Sequence, residues 1–254
     1  MENREHYIDD RGIALHIKLD LPDHTGKLPL LILFHGFTGS MEEVTILAVK
    51  DAALRAGFAV LRAELYGHGK SGGTLYDHTI LKWIQNAEAV CEYAKQLPFV
   101  QHIFLAGHSQ GGLLAVLLGE KHPQDYAGFL LVSPGASIPE ELRSGTLLGE
   151  AFDPDHIPES LPTWENLTLS GEYIRTMRDI DPYAAARKYP GPVRILHGSE
   201  DEIIPVGSAC RLAEEFPDAK LRIIEGDNHN YDYHRDVMAK AAETALNELR
   251  QKAG

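Results

Sequence analysis

Gly107-His108-Ser109-Gln110-Gly111 stands where the apolar run Ile103-Phe104-Leu105-Ala106 meets the helical pattern Leu113-Leu114-Ala115-Val116-Leu117-Leu118. A strand that breaks sharply into a helix leaves one residue on a tight, strained turn, with its side chain held above the sheet. Glycines two places before and after that residue give the turn room. The bare G-x-S-x-G string arises by chance in many chains, and a glycine-rich structural turn is the competing reading. Strand–turn–helix context makes it a nucleophile elbow, with Ser109 as the nucleophile.

Outward from the elbow the pattern alternates. Ile13–Leu19 reads as an early strand, paired antiparallel with the segment around His6-Tyr7-Ile8. Leu30-Leu31-Ile32-Leu33-Phe34 is apolar without alternation, which suits a strand buried on both faces of a parallel sheet. A helix is expected from about Glu43 to Ala56, a strand around Phe58–Leu61, and a second helix from about Thr79 to Leu97. Its stripe of Ile80, Trp83, Ile84, Ala87, Val90, Cys91 and Ala94 has helical spacing, so Trp83 reads as core rather than as a ligand contact. Ala127–Val132, Val193–Leu196 and Leu221–Ile224 complete the strands. Strands alternating with helices imply an α/β fold with a mostly parallel sheet covered on both faces.

One stretch breaks the rhythm. Residues 136–189 carry prolines, acidic residues and short helical pieces instead of strands. That is too long for a plain connection, so it is expected to form a cap inserted between two parts of one core, 1–135 and 190–254. Ligands of open α/β sheets bind beyond the carboxyl ends of the strands, where such a cap would lie.

Composition narrows the function classes. The chain has 254 residues, 44% hydrophobic, with a formal net charge of −13. That charge argues against nucleic acid or an anionic membrane as partner. No stretch reaches the roughly 18 apolar residues of a spanning helix, and Met1-Glu2-Asn3-Arg4-Glu5-His6 lacks the apolar core of a secretory signal. Cys91 and Cys210 lie in helix-like patterns and read as buried, reduced thiols, consistent with a cytoplasmic location. Self-association into a homodimer is left open.

A serine hydroxyl needs a base in contact, and the base needs an orienting carboxylate. Val193–Leu196 runs into His197-Gly198-Ser199-Glu200-Asp201-Glu202, and the next strand runs into Glu225-Gly226-Asp227-Asn228-His229. Both therefore lie past carboxyl ends of strands, on the edge that carries Ser109, and the order Ser109, Asp201, His229 is the one expected on this fold. Glu200 and Glu202 are alternatives for the acid, and His234 for the base. His35, His108 and His197 read as structural histidines shaping loops. The oxyanion requires two converging N–H donors. One is the Gln110 amide at the start of the elbow helix; the other comes from His35-Gly36-Phe37-Thr38-Gly39, with Phe37 as the choice.

Gly67-His68-Gly69-Lys70-Ser71 carries the ending of a phosphate-binding loop. Glu64 stands where that loop requires its first glycine, so the segment is read as a wall beside the serine. No metal-ligand spacing appears, and neither a metal nor a cofactor is expected.

Taken together, His35-Gly36-Phe37-Thr38-Gly39, Gly67–Ser71, Gly107–Gly112, His197-Gly198 through Asp201, and His229 resemble the α/β-hydrolase family. Within it the chain is similar to bacterial cinnamoyl (feruloyl) esterases. Phe152-Asp153-Pro154-Asp155-His156-Ile157-Pro158 and Gly171-Glu172-Tyr173-Ile174-Arg175 look like the inserted segment of those enzymes. The resemblance implies a small-molecule ester as substrate, with Asp155 and Tyr173 contacting the hydroxyls of an aromatic acid. Asn228-His229-Asn230-Tyr231 departs from the family's acidic–His–aromatic run. A general short-chain carboxylesterase, a monoacylglycerol-lipase-like hydrolase and a non-catalytic hydrolase-fold receptor are the rival expectations.

Overall fold

The computed structural model describes residues 2–23, 26–163 and 167–253. In chain order the elements are β1 (Glu2–Asp10), β2 (Ile13–Leu21), β3 (Leu28–Phe34), α1 (Val44–Arg55), β4 (Ala59–Ala63), α2 (Ile80–Lys95), β5 (Val100–His108), α3 (Gln110–Lys121) and β6 (Phe129–Val132). Then follow α4 (Ile138–Arg143), β7 (Thr146–Leu147), β8 (Glu150–Ala151), β9 (Ser160–Pro162), β10 (Thr168–Ser170), α5 (Gly171–Met177) and α6 (Pro182–Ala186). The chain closes with β11 (Val193–Gly198), α7 (Val206–Glu215), β12 (Ala219–Ile224) and α8 (Arg235–Ala253).

Eight strands form one sheet in the order β1-β2-β4-β3-β5-β6-β11-β12. β2 pairs antiparallel with β1 and β4, whereas β4, β3, β5, β6, β11 and β12 are parallel neighbours. The reason is visible in β3, whose residues 30 to 34 are all at most 1% exposed. Leu30, Ile32 and Phe34 enter one core cluster with α2 and α3, while Leu31 and Leu33 enter the other with α1 and α8. A period of two on a strand covered on both faces yields an unbroken apolar run. The expected stripe of α2, Trp83 included, is buried, and Thr79 caps that helix by accepting from the Lys82 amide at 3.2 Å.

The segment between β6 and β11 differs from the expectation in one respect. It contains two small antiparallel pairs, β7 with β8 and β9 with β10, besides its short helices. Its Leu142, Leu147, Leu161, Leu169, Tyr173 and Met177 join the same core cluster as the α2 and α3 face of the sheet. Cys210 also departs from expectation: both cysteines are free, but only Cys91 is buried. No helix among the described residues is long and apolar enough to cross a membrane.

Candidate active site

At the end of β5 the chain turns into α3 through Ser109, held at φ 54° and ψ −123°. A non-glycine residue tolerates that region only where its surroundings impose it. The surroundings here are backbone. A Cβ on Gly107 would come within 2.2 Å of the Gly111 carbonyl group, and one on Gly111 within 2.4 Å of the His35 oxygen. The two motif glycines thus let β5, α3 and the end of β3 meet at the serine. Gly36 does the same from the facing loop, where a Cβ would lie 3.1 Å from the Ser109 Cβ.

Past the ends of β11 and β12, His229 Nδ1 lies 2.8 Å from Asp201 Oδ2. The other carboxylate oxygen accepts the amides of Ile203 at 3.0 Å and Ile204 at 2.8 Å. His197 Nε2 sits 3.2 Å from Oδ2 and 2.8 Å from the Ile204 carbonyl, so it donates to both. Burial alone would push the Asp201 carboxyl up. Hydrogen bonds from His197, His229 and the Ile204 amide, with the charge of His229, outweigh it and hold the group below the usual carboxylate range. An ionised Asp201 makes His229 carry its proton on Nδ1 and keep a lone pair on Nε2.

Ser109 and His229 line one cavity of about 250 Å³, together with Gly36, Phe37, Thr38 and Tyr173. The amide of Gln110 is in the first turn of α3, where N–H groups have no helical partner and the dipole favours an anion. Phe37 stacks on His78 at a centroid distance of 5.2 Å. Behind the Phe37 loop lie three histidines. His35 donates through Nδ1 to the Gly36 carbonyl at 2.8 Å and accepts the Leu65 amide at Nε2. His68 accepts the Thr38 amide at 3.2 Å. Gln110 donates to His78 Nε2 at 3.3 Å, while its oxygen accepts from the Tyr173 hydroxyl at 2.9 Å. Burial, reinforced by the nearby His68, pushes both His35 and His78 down to about 3. Burial and the adjacent His229 do the same to His108, whose Nε2 donates to the His229 carbonyl at 3.0 Å. His35, His78 and His108 are thus neutral braces; His35 and His108 were read as structural histidines, whereas nothing in the pattern singled out His78.

Two placements correct the reading from sequence. Residues 67–73 do not line the cavity. Glu64 fills that loop instead: its carboxylate accepts the Lys70 amide at 2.6 Å and contacts His16 Nδ1 at 2.7 Å. A side chain on Gly69 would overlap it. The loop supports the site through His68, which accepts the Thr38 amide. Asp155 is likewise exposed and off the cavity. Its amide donates to Asp153 Oδ1 at 2.9 Å, and the Arg178 guanidinium holds the Pro154 carbonyl at 2.6 Å, fixing a turn whose acidic side chain stays in solvent. Tyr173 does reach the cavity and is 1% exposed.

Two carboxyl groups not anticipated from sequence also line it. Glu141 on α4 accepts from the Ser137 hydroxyl at 2.7 Å, and burial, against that bond, raises it. Glu43, the N-cap residue of α1, is pushed up to about 7 by burial, against a hydrogen bond from the Ser40 backbone. No cluster of His, Cys, Asp and Glu suited to a metal occurs among the described residues.

Est1E from Butyrivibrio proteoclasticus with ferulic acid bound superposes with a TM-score of 0.95 at 42% identity, covering 97% of this chain and 99% of that one. A curated relative, thermostable monoacylglycerol lipase of Bacillus sp. (strain H-257), is 29% identical over 80% of this chain and 82% of its own length. Alpha/beta hydrolase domain-containing protein 10 from mouse shares the fold with a TM-score of 0.79 at 17% identity, over 97% of this chain and 99% of that one. The model of the Hydrolase_4 family, described as serine aminopeptidase S33, matches residues 27–168. The chain belongs to that family of α/β hydrolases.

Proposed function

We propose that this carboxylic ester hydrolase releases hydroxycinnamic acids such as ferulate, caffeate and p-coumarate from their esters, through an acyl-enzyme on Ser109. The observation that carries the reading is the 2.8 Å contact between His229 Nδ1 and Asp201, at a cavity shared by His229 and Ser109. With Nδ1 committed to Asp201, Nε2 takes the serine proton as the hydroxyl oxygen attacks the ester carbonyl. The amides of Phe37 and Gln110 stabilise the resulting oxyanion. Collapse expels the alcohol, protonated by His229; water activated by the same imidazole then hydrolyses the acyl-enzyme.

The cavity walls support an aromatic acyl group. Ile138, Leu147 and Leu148 offer apolar surface, and Glu141 and Tyr173 add a carboxyl and a hydroxyl. The volume of about 250 Å³ falls near the low end of ligand pockets, roughly 300–1,000 Å³, which disfavours long acyl chains. Similarity to Est1E with ferulic acid bound points the same way. Residues 136–189 then act as a cap over the acyl group, and Glu141, rather than the exposed Asp155, joins Tyr173 in reading the phenolic hydroxyl.

Hydrolysis of ethyl ferulate, p-nitrophenyl acetate and p-nitrophenyl decanoate should be compared in the native protein and Ser109→Ala. Ferulate should be preferred to decanoate, and Ser109→Ala should lose all but about one part in a million of kcat. A preference for decanoate favours a glyceride lipase instead. No turnover of any ester would return the chain to the receptor reading.

A further inference from the structure

Two histidines share one oxygen of Asp201. His229, on the wall of the Ser109 cavity, places Nδ1 2.8 Å from Oδ2. His197, near the end of β11, places Nε2 3.2 Å from the same oxygen and is fully buried. It does not line the cavity, so it can act on the reaction only through the carboxylate. Its Nε2 hydrogen also serves the Ile204 carbonyl at 2.8 Å. Nδ1 is buried without a hydrogen-bond partner among the described residues. A hydrogen there would be a buried donor with no acceptor, so the ring carries it on Nε2, facing Asp201.

Backbone alone already joins the loops after β11 and β12. The Ser199 amide donates to the Ile224 carbonyl at 3.0 Å and the Glu200 amide to the Asp227 carbonyl at 2.9 Å. The Ser199 hydroxyl accepts the Gly226 amide at 2.8 Å, and a Cβ on Gly198 would come within 2.3 Å of the Asp227 oxygen. Oδ1 of Asp201 is held by the Ile203 and Ile204 amides. What His197 adds therefore falls on Oδ2. A donor to a carboxylate stabilises its negative charge, and less of that charge is left to favour a proton on the neighbouring imidazole.

We propose that His197 is a positioning residue: by sharing Oδ2 with His229 it keeps the carboxylate aimed at Nδ1, limits how strongly Asp201 favours the imidazolium, and so extends the working range of the enzyme toward acid. The proposal rests on the ester-hydrolase reading, with His229 as the base.

Two midpoints test it in native, His197→Leu and His197→Gln protein: the acid limb of kcat/KM for p-nitrophenyl acetate, and the NMR titration of the His229 ring. In His197→Leu both should rise by about one pH unit, with kcat on the plateau down about tenfold and KM little changed. His197→Gln, whose amide ends near the place of Nε2, should return both midpoints to the native values and recover most of kcat. Mere loosening of the loop would weaken the contact between Asp201 and His229 and move the midpoints down instead. The other titratable groups facing His229 are the same in all three proteins and cancel in the comparison. They are His108 from the β5–α3 turn, with ring centroids 4.7 Å apart, Asp227 and Tyr231 of its own loop, and Glu43 and Glu141 across the cavity. Midpoints that fall or stay in His197→Leu overturn the proposal, as does a His197→Gln protein that behaves like His197→Leu. Should His197→Leu fail to fold, the native protein still decides: nitrogen shifts must show His197 protonated at Nε2 alone, and a hydrogen on Nδ1 overturns the proposal. The NMR arm needs no substrate, which separates the two readings. No turnover of p-nitrophenyl acetate with the His229 midpoint raised in His197→Leu sinks the hydrolase reading and keeps the part His197 plays at Asp201. Good turnover with unmoved midpoints does the reverse.

Discussion

Asp201 accepts from two side chains and two amides, so its carboxylate does more than face His229. In Asp201→Asn the new carboxamide nitrogen must either turn toward these donors or force His229 into the other tautomer, with its proton on Nε2. Loss of kcat by about ten-thousand-fold is expected, with the thermal midpoint measured alongside to show that the fold is kept. A pH profile gives a second reading of the same site. kcat/KM should fall toward acid with the uptake of one proton, as the general base becomes charged. His35, His78 and His108 are held down to about 3 by burial, so they stay neutral across this limb and add no further protons. A slope of two or more protons above pH 5 would show that another histidine takes part. That Asp201 and His229 meet could be expected from sequence, because each follows the end of a neighbouring strand. Glu43 and Glu141 could not, because a carboxylate in a helix-forming segment looks the same whether it faces water or a cavity. Asp155 was expected at the cavity only from a resemblance, and an Asp153-capped turn leaves its side chain in solvent.

At the scale of elements, the elbow is a junction of three backbones, and its glycines separate stability from activity. In Gly111→Ala the added carbon meets the His35 oxygen at 2.4 Å and the Phe34 oxygen at 2.6 Å. Backbone of a central strand cannot yield cheaply, so a loss of about 3 kcal/mol is expected in urea unfolding. Gly36→Ala is a different case. Its nearest contact is the Ser109 Cβ at 3.1 Å, which a small shift relieves. That shift displaces Ser109, the proposed nucleophile, or the neighbouring amide, so kcat should drop about a hundredfold with little change in the urea midpoint. Comparable stability losses in both variants would place Gly36 in the same role as Gly111. Sheet strands and long helices could be read from sequence because strict periods fix them; β3 and α2 appear within a few residues of their expected ends. The two small hairpins between β6 and β11 could not, since strands of two or three residues are too short to show a period. The loop around Glu64 was misread as a wall because glycines announce a close approach without saying what approaches. Here it is a carboxylate.

For the whole molecule, the histidines packed behind the Phe37 loop couple the cavity to acid stability. A histidine near 6.5 when unfolded and near 3 when folded binds its proton more readily in the unfolded chain. Stability therefore rises with pH across that interval: it is fully present above about 6.5 and is lost as pH falls toward 3. His35, His78 and His108 all have this sign, and each is worth on the order of a few kcal/mol at the acid end. Glu43, raised to about 7 by burial, has the opposite sign. Its stabilisation is present below the usual carboxylate value and is lost as pH rises through 7. Three fully buried rings outweigh one partly buried carboxyl, so the thermal midpoint should climb from pH 4 to about 6.5 and then level off. His78→Phe removes one titrating ring and also unties Gln110 from its brace, so the midpoint at neutral pH should fall. Its acid dependence should nevertheless be shallower, with one fewer proton linked to unfolding between pH 4 and 6. Midpoints measured across that range in both proteins decide the matter: parallel curves would mean that His78 titrates alike in the folded and unfolded chain, leaving the acid sensitivity to His35 and His108, since the lowered carboxyl of Asp201 acts only further into acid.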